Sequence, residues 1–450
     1  MNPEFKKHLW MELSLHKLIA TPILLFTAIT MAFLYVEDTA ASIRMLERLL
    51  PMLFWMFICL GGSYTVANAI HREHDGKTWD WIRLNSQSVW SITWGTVLGA
   101  SSFMWYCGSW CLAAYFALPF LSPQEAPVTI QTGNLLLIFV LAIFLQGASM
   151  MSICLIFTGA KRNAYSKRSA AISATLLALI LFPYHDWHNI SDVRWYKFEI
   201  PALAAATISA AVFAVWSWTG SLRLLRTQLQ YRNGIAVWVI FNIFFIIFLN
   251  GFFTATDFVS KETSDSFRHE KILFYAGFYI SIALAYIMLF MDPPSIKTFN
   301  NLASYIKARN WIRIEQTLPL WVVSSILSIF ILIPTIALTT ADWIHDKTLL
   351  FFSISIIFLL IRDGAIFTAF SYGKNPQRAQ ITTFIYLFFL YAVIPFIALK
   401  LSDNKDILKI FLPGISPFSP IIMFAHAAIA CTWAGSRIVR HQKLLHSSTK

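Results

Sequence analysis

Residues 89–121 read VWSITWGTVLGASSFMWYCGSWCLAAYFALPFL, 33 positions without a charged side chain. A helix rises 1.5 Å per residue and a bilayer core is about 30 Å thick, so roughly 20 such residues cross a membrane. The run is therefore either one long crossing or a tight pair of crossings. That choice sets the orientation of everything after it. Comparable runs lie at 18–36, 49–70, 134–160, 170–184 and 200–222, and again at 235–256, 271–291, 321–340, 349–370, 381–400 and 419–436. Helices satisfy their own backbone groups in lipid, whereas open strands do not. No alternating segments of about 10 residues suggest a barrel. The expected fold is an all-α polytopic integral membrane protein with about 12 transmembrane helices. Residues 1–17 are charged, and no small-residue cleavage site follows an apolar core, so a cleavable signal peptide is not expected.

Composition agrees with this reading. The 450 residues are 57% hydrophobic and 13% charged, with a mean hydropathy of +0.61. About a quarter of an ordinary soluble domain is charged, so a cytosolic enzyme, a disordered chain and a secreted disulfide scaffold are all excluded. Charge also decides residues 89–121. With one crossing there and a cytoplasmic N-terminus, the inner loops hold 23 of the 35 Lys and Arg but only seven of the 23 acids. Basic residues resist translocation, so both termini are expected in the cytoplasm and the chain in the cell (plasma or inner) membrane. The basicity is spread over seven short loops, which suits anionic lipid headgroups better than nucleic acid. No nucleic-acid partner is expected.

The loops are too short to fold alone; the longest, 292–320, has about 29 residues. The expected organisation is an amphipathic N-terminal helix (1–17), a six-span half (18–222), a linker (223–234), a second six-span half (235–436) and a basic tail (437–450). Each half has a similar tetrad after its second span, Trp81-Ile82-Arg83-Leu84 and Trp311-Ile312-Arg313-Ile314. An internal duplication and coincidence both explain it. In the N-terminal arm, Phe5, Leu9 and Leu13 make one apolar stripe on a helix, the pattern of a segment lying in the membrane interface.

The chemistry-bearing residues are few. In the loop 71–88, Gly76 separates a charged helix end from a short amphipathic piece that Thr78 could cap. Trp79 and Ile82 would face protein or membrane, with Asp80 and Arg83 exposed. Gly76-Lys77-Thr78 imitates the end of a phosphate-binding loop, but the required upstream Gly is His71 and a helix precedes it. His71 with His74, and His185 with His188, have a metal-compatible spacing yet lack further ligands; no metal is expected. Cys107 and Cys111 share a helical face, which favours packing over a disulfide. Arg362-Asp363 is the charged pair within a span. It either lines a substrate route or locks two helices near the cytoplasmic edge.

The series Arg72-Glu73-His74-Asp75-Gly76-Lys77-Thr78-Trp79-Asp80, followed by Leu84, Ser88 and Gly95, resembles the coupling segment of permeases in the ABC type-2 exporter superfamily. The arm Asn2-Pro3-Glu4-Phe5, with Leu9-Trp10-Met11-Glu12-Leu13, is similar to that family's interfacial helix. The resemblance covers residues 1–225. It implies a permease subunit that is not itself an enzyme and moves an amphipathic or lipid-like molecule outward. ATP would be used by a cytoplasmic ABC ATPase dimer, with no cofactor on this chain. Glu73, Thr78, Trp79 and Arg83 are the implied ATPase contacts, with Trp311 and Arg313 as counterparts. Charge reversal at Glu73 or Arg83 is expected to uncouple transport while leaving the fold intact. If 235–450 is an added module rather than a fused half, two chains would pair as a homodimer. The alternatives are an ion-coupled secondary transporter, a lipid-modifying membrane enzyme and a non-transporting docking or assembly subunit.

Overall fold

A computed structural model describes residues 2–35, 39–76, 78–84, 87–121, 131–158, 192–253, 266–291, 296–339, 345–373, 378–402, 413 and 417–448. Among these residues the elements are helical apart from one hairpin, β1 (Val193–Trp195) and β2 (Phe198–Ile200). Among the described residues, nine helices are long and apolar enough to cross a membrane, or ten if the bent pair Trp311–Thr317 and Leu320–Ile336 is one span. The chain is thus an all-α, multi-pass membrane protein. The expected run at 170–184 lies outside the described residues, as does the pair His185 and His188.

The chain divides into two compact units. One comprises Met1–Val193 and Glu199–Asn233; the other comprises Arg194–Phe198 and Gly234–Lys450. Residues 223–228, expected in a linker, instead complete the helix Ala202–Gln228.

The first unit begins with α1 (Pro3–Glu12), capped by Asn2, whose side chain accepts from the Glu4 and Phe5 amides. Next come α2 (Leu15–Tyr35) and one 37-residue helix, α3 (Thr39–Trp55) joined to α4 (Gly62–Asp75) through a π-helical turn at Met56–Gly61. Arg44, Glu47 and Arg48 end the apolar run but not the helix. Then follow α5 (Trp79–Leu84), α6 (Val89–Ala100), α7 (Ser102–Leu121), α8 (Thr132–Thr158) and α9 (Ala202–Gln228). The uncharged run 89–121 is therefore broken at Ser101, and Ser102–Leu121 is the part long enough to cross by itself.

Polar side chains and small residues hold these helices together, as expected where apolar burial offers no gain over lipid. Gln146 of α8 donates to the Ile58 carbonyl in the π-turn at 3.0 Å, and Ser149 to the Ser63 carbonyl at 2.7 Å. From α9, Ser221 reaches the Gly147 carbonyl at 2.8 Å and Gln228 the Cys154 carbonyl at 2.7 Å. Any side chain at Gly147 would collide with Ser217 and Trp218.

The second unit contains α10 (Ala236–Phe253), α11 (Ser266–Met291), α12 (Ile296–Lys307), α13 (Trp311–Thr317), α14 (Leu320–Thr339) and α15 (His345–Ser371). It ends with α16 (Ala379–Phe388), continued through a π-turn at Phe389–Val393 into α17 (Ile394–Ser402), and with α18 (Ser419–Ser448). The hairpin tip covers the last carbonyls of α10: Trp195 Nε1 donates to Phe248 at 3.0 Å and the Tyr196 amide to Gly251 at 2.8 Å. Gly251 lies in the last turn of α10, where carbonyls have no donor within the helix. In the core, Trp238 Nε1 donates to Ser324 Oγ, which donates to Asn242 Oδ1 at 3.2 Å.

The two units share a pairing pattern. In the first, α8 packs along α9, and α3 against α7; in the second, α15 packs along α18, and α11 along α14. Each unit also has, in chain order between the members of one of these pairs, a short helix with an exposed tryptophan: α5 between α3 and α7, and α13 between α11 and α14.

Candidate functional site

In the first unit the site is built where α4 ends. The expected apolar stripe of α1 is not the face that packs inward. Glu4, His8 and Glu12, spaced by four, are buried, whereas Trp10 and Met11 are exposed and Phe5, Leu9 and Leu13 are only partly covered. The reason lies on α6. Gly95 and Gly99 present backbone instead of side chains and Ser91 its carbonyl, so α1 settles directly on them. A Cβ at Gly95 would lie 2.8 Å from the Asn2 side chain, and one at Gly99 would lie 2.8 Å from His8 Cβ. Asn2 itself donates to the Ser91 carbonyl. At that distance the buried acids meet cations: Lys7 Nζ is 3.0 Å from Glu4 and 2.7 Å from Glu73, and Arg72 is 2.6 Å from Glu12.

Glu73 is the hub. It is 8% exposed, takes Lys7 on one carboxylate oxygen and accepts the Thr78 hydroxyl on the other. Thr78 therefore does not cap α5 with its side chain as the sequence suggested. Its hydroxyl is drawn to the nearby carboxylate and to the Glu73 carbonyl at 3.1 Å, while its own carbonyl receives the Trp81 and Ile82 amides. Arg83 donates to the Gln228 carbonyl at 3.0 Å, closing the C-terminal end of α9, and to Asp80 at 3.1 Å. Trp79, buried, stacks on His74 with ring centroids 4.4 Å apart. His71 pairs with Asp75 at 3.0 Å. Among the described residues no three His, Cys, Asp or Glu side chains converge as metal ligands.

The result is a short helix anchored at three points. Trp79 and Ile82 are buried, but Trp81 is 77% and Leu84 83% exposed. A cavity of about 730 Å³ lies against it, lined by the buried Glu4, Glu73 and Ile82 and by the exposed Met11, Trp81 and Leu84. Of the residues in this cluster, the sequence pointed to Glu73, Thr78, Trp79 and Arg83 but not to Lys7, Glu12 and Arg72.

Electrostatics in this cluster favour a docked α1. Burial disfavours the charged form of Lys7, but its bonds to Glu73 and Glu4 outweigh that and hold the ammonium above its ordinary value. Its contribution is present below the ordinary lysine range and is lost only as pH rises through the raised value. His8 behaves oppositely. Burial first, and then the charges of Lys7 and Arg72, push it down to about 4. The unfolded chain takes up a proton near pH 6.5 that the folded chain refuses, so stability falls as pH drops from about 6.5 to about 4. The full loss is roughly 3 kcal/mol. His8→Gln is expected to remove this slope; thermal melts of both proteins between pH 4.5 and 7 check it.

In the second unit the predicted residues occupy two separate places. Trp311 and Arg313 lie on α13, whose Asn310 cap accepts from the Arg313 amide at 3.2 Å. Trp311 is 75% exposed, like Trp81, but Ile312 is 68% exposed where Ile82 is buried. The chain then bends by 100° into α14. Arg362 and Asp363 lie in α15, 4% and 0% exposed, joined at 2.8 Å. Asp363 is eight residues from the end of α15, about 12 Å along the axis. The tyrosines that complete it, Tyr286 and Tyr391, were not signalled locally: each hydroxyl donates to Asp363 Oδ2, at 3.0 and 2.7 Å. Cys107 and Cys111 are buried free thiols.

No family model, curated protein or solved structure matches this chain.

Proposed function

We propose that the chain is the permease subunit of an ATP-driven ABC exporter of the type-2 kind, moving an amphipathic or lipid-like molecule outward across the cell membrane. A separate cytoplasmic ATPase dimer would dock on α5, with both chain termini on that side and twelve crossings in all. Membrane lipids would contact its apolar faces. One observation carries the reading. The apolar tip of α5, Trp81 and Leu84, projects outward while its base is wired by Glu73–Thr78 to the 37-residue helix and by Arg83 to α9. A push on that tip would move two long helices together, which is what a coupling element must do. Access would then switch by differential stabilisation of two conformations.

In the second unit, Trp311 and Arg313 on α13 would receive the second ATPase subunit. The shared helix pairing supports a fused duplication, in which one chain suffices. The rival reading as an ion-coupled carrier needs a carboxylate free to bind the ion, and Asp363 is instead neutralised by Arg362.

The test is a Trp81→Ala/Leu84→Ala double variant. Both side chains are exposed, so accumulation and melting temperature are expected to stay at wild-type levels. A buried interface tryptophan typically contributes about 2 kcal/mol or more, so ATPase binding is expected to weaken at least roughly 30-fold, with transport falling in parallel. Unchanged partner binding and transport in reconstituted vesicles would contradict the assignment.

A further inference from the structure

The buried charge cluster of the second unit has a feature that packing alone leaves unexplained. Arg362 donates through Nε to Asp363 Oδ1, yet its Nη2 is buried and has no hydrogen-bond partner among the described residues. Nε and Nη2 are the two donors of the side-on guanidinium fork, the pair that would grip both oxygens of one carboxylate. A buried unpaired donor of this kind is costly. The second oxygen, Oδ2, is occupied instead by the hydroxyls of Tyr286 from α11 and Tyr391 from the π-turn between α16 and α17. The Tyr391 ring also lies under the guanidinium, 4.8 Å from its centre.

The helix that supplies Tyr391 has little protein packed around it. Only 17% of the Ala379–Lys400 window is buried, against 44% for the window in α15. Its inward positions are Ala379, Thr383, Leu387 and Pro395, with Tyr391 partly covered, a strict spacing of four. At 100° per residue such a series drifts by about 160° around a straight α-helix over its length. The extra residue of the π-turn takes back much of that drift and keeps Tyr391 on the face that meets Asp363. Reverting the turn to α-helical geometry would swing Tyr391 aside. Turns of this kind often sit at functional positions.

We propose that Asp363 is a partner-exchange latch. In the closed state described here Tyr391 holds Oδ2 and the α16–α17 helix is fastened to α15. In the open state the π-turn relaxes, Tyr391 leaves, and Arg362 Nη2 takes the vacated oxygen as the second tine of its fork. Asp363 keeps its charge compensated in both states, so the helix can move without stranding a charge. The free Nη2 is the donor reserved for the open state. The inference concerns the motion of one helix within the second unit and does not depend on the partner proposed above.

The test is hydrogen exchange of the full chain in detergent micelles, read as the ratio of exchange in 385–400 to that in 278–289. Tyr391→Phe removes the hydroxyl and keeps the ring. A hydrogen bond to a charged group is lost, so the ratio is expected to rise about tenfold, while Tyr286→Phe leaves 385–400 as in the wild type. Arg362→Lys keeps the charge but cannot form the fork, so the open state loses its substitute donor and the ratio is expected to fall below wild type. Uniform acceleration across the unit in Tyr391→Phe, or a ratio that stays level or rises in Arg362→Lys, would overturn the latch. Because the readout is a ratio within one molecule, a general loss of stability cannot imitate the expected result.

Discussion

Asp363→Ala should leave little folded protein in the membrane. The substitution strips Arg362, 4% exposed, of its counter-charge and leaves the Tyr286 and Tyr391 hydroxyls without their common acceptor. Removing one partner of a buried ion pair costs about 3–5 kcal/mol. Domains are stable by only about 5–15 kcal/mol in total, so the loss is a large share. Replacing both charges, as in Arg362→Leu/Asp363→Leu, is expected to restore most of the accumulation, because no charge is then stranded. Melting curves in detergent and membrane yields for the single and double variants check this. A double variant no better than Asp363→Ala would show that the pair does more than balance charge in the folded state.

Glu73→Lys is expected to be nearly as damaging, and this changes how coupling has to be tested. The sequence suggested that reversing Glu73 would uncouple transport from ATP hydrolysis with the fold intact. The structure corrects the premise: Glu73 is 8% exposed and holds Lys7 and Thr78 at once. A lysine there would face Lys7 across the same gap, with burial and like charge acting together. About 3–5 kcal/mol is at stake, and α1 should leave α6. Glu73→Gln can still accept one bond and should cost about 1–3 kcal/mol. The expected observation is graded loss of thermal stability, wild type over Gln over Lys, with the first 12 residues becoming protease-sensitive in Glu73→Lys. Equal stability of all three would mean that the cluster does not fasten α1. Uncoupling is cleanly probed only at the exposed Trp81 and Leu84.

What could be read from the chain differed between elements for physical reasons. The membrane helices announced themselves, because about 20 uncharged residues have few other uses. Their ends did not. Arg44, Glu47 and Arg48 interrupt an apolar run without interrupting backbone hydrogen bonding, so the helix begins at Thr39 rather than near 49. The break at Ser101 and the two π-turns carry no compositional mark. The inward face of α1 was not legible from the arm alone, because Phe5, Leu9 and Leu13 mark its apolar stripe but not the surface on which the helix lands. The spacing of Ser91, Gly95 and Gly99 was the available signal, since a row of small residues invites close backbone approach. Glu73, Thr78, Trp79 and Arg83 could be grouped because they lie within 11 consecutive residues. Lys7 and Arg72, or Tyr286 and Tyr391 about Asp363, are joined only by folding. The four-residue spacing from Ala379 to Pro395 was legible in principle, but not the carboxylate it faces.

The central claim, that α5 receives a nucleotide-hydrolysing partner, is tested most directly by a photo-crosslinking residue placed at position 81. The chain is purified gently from its own membrane, and the cross-linked product and its ATP hydrolysis are examined. The account predicts a cross-link to a soluble ATPase subunit that disappears when the probe is moved to the buried position 79. Cross-links to lipid alone, or solute transport by the purified chain in vesicles without any such subunit, would contradict it.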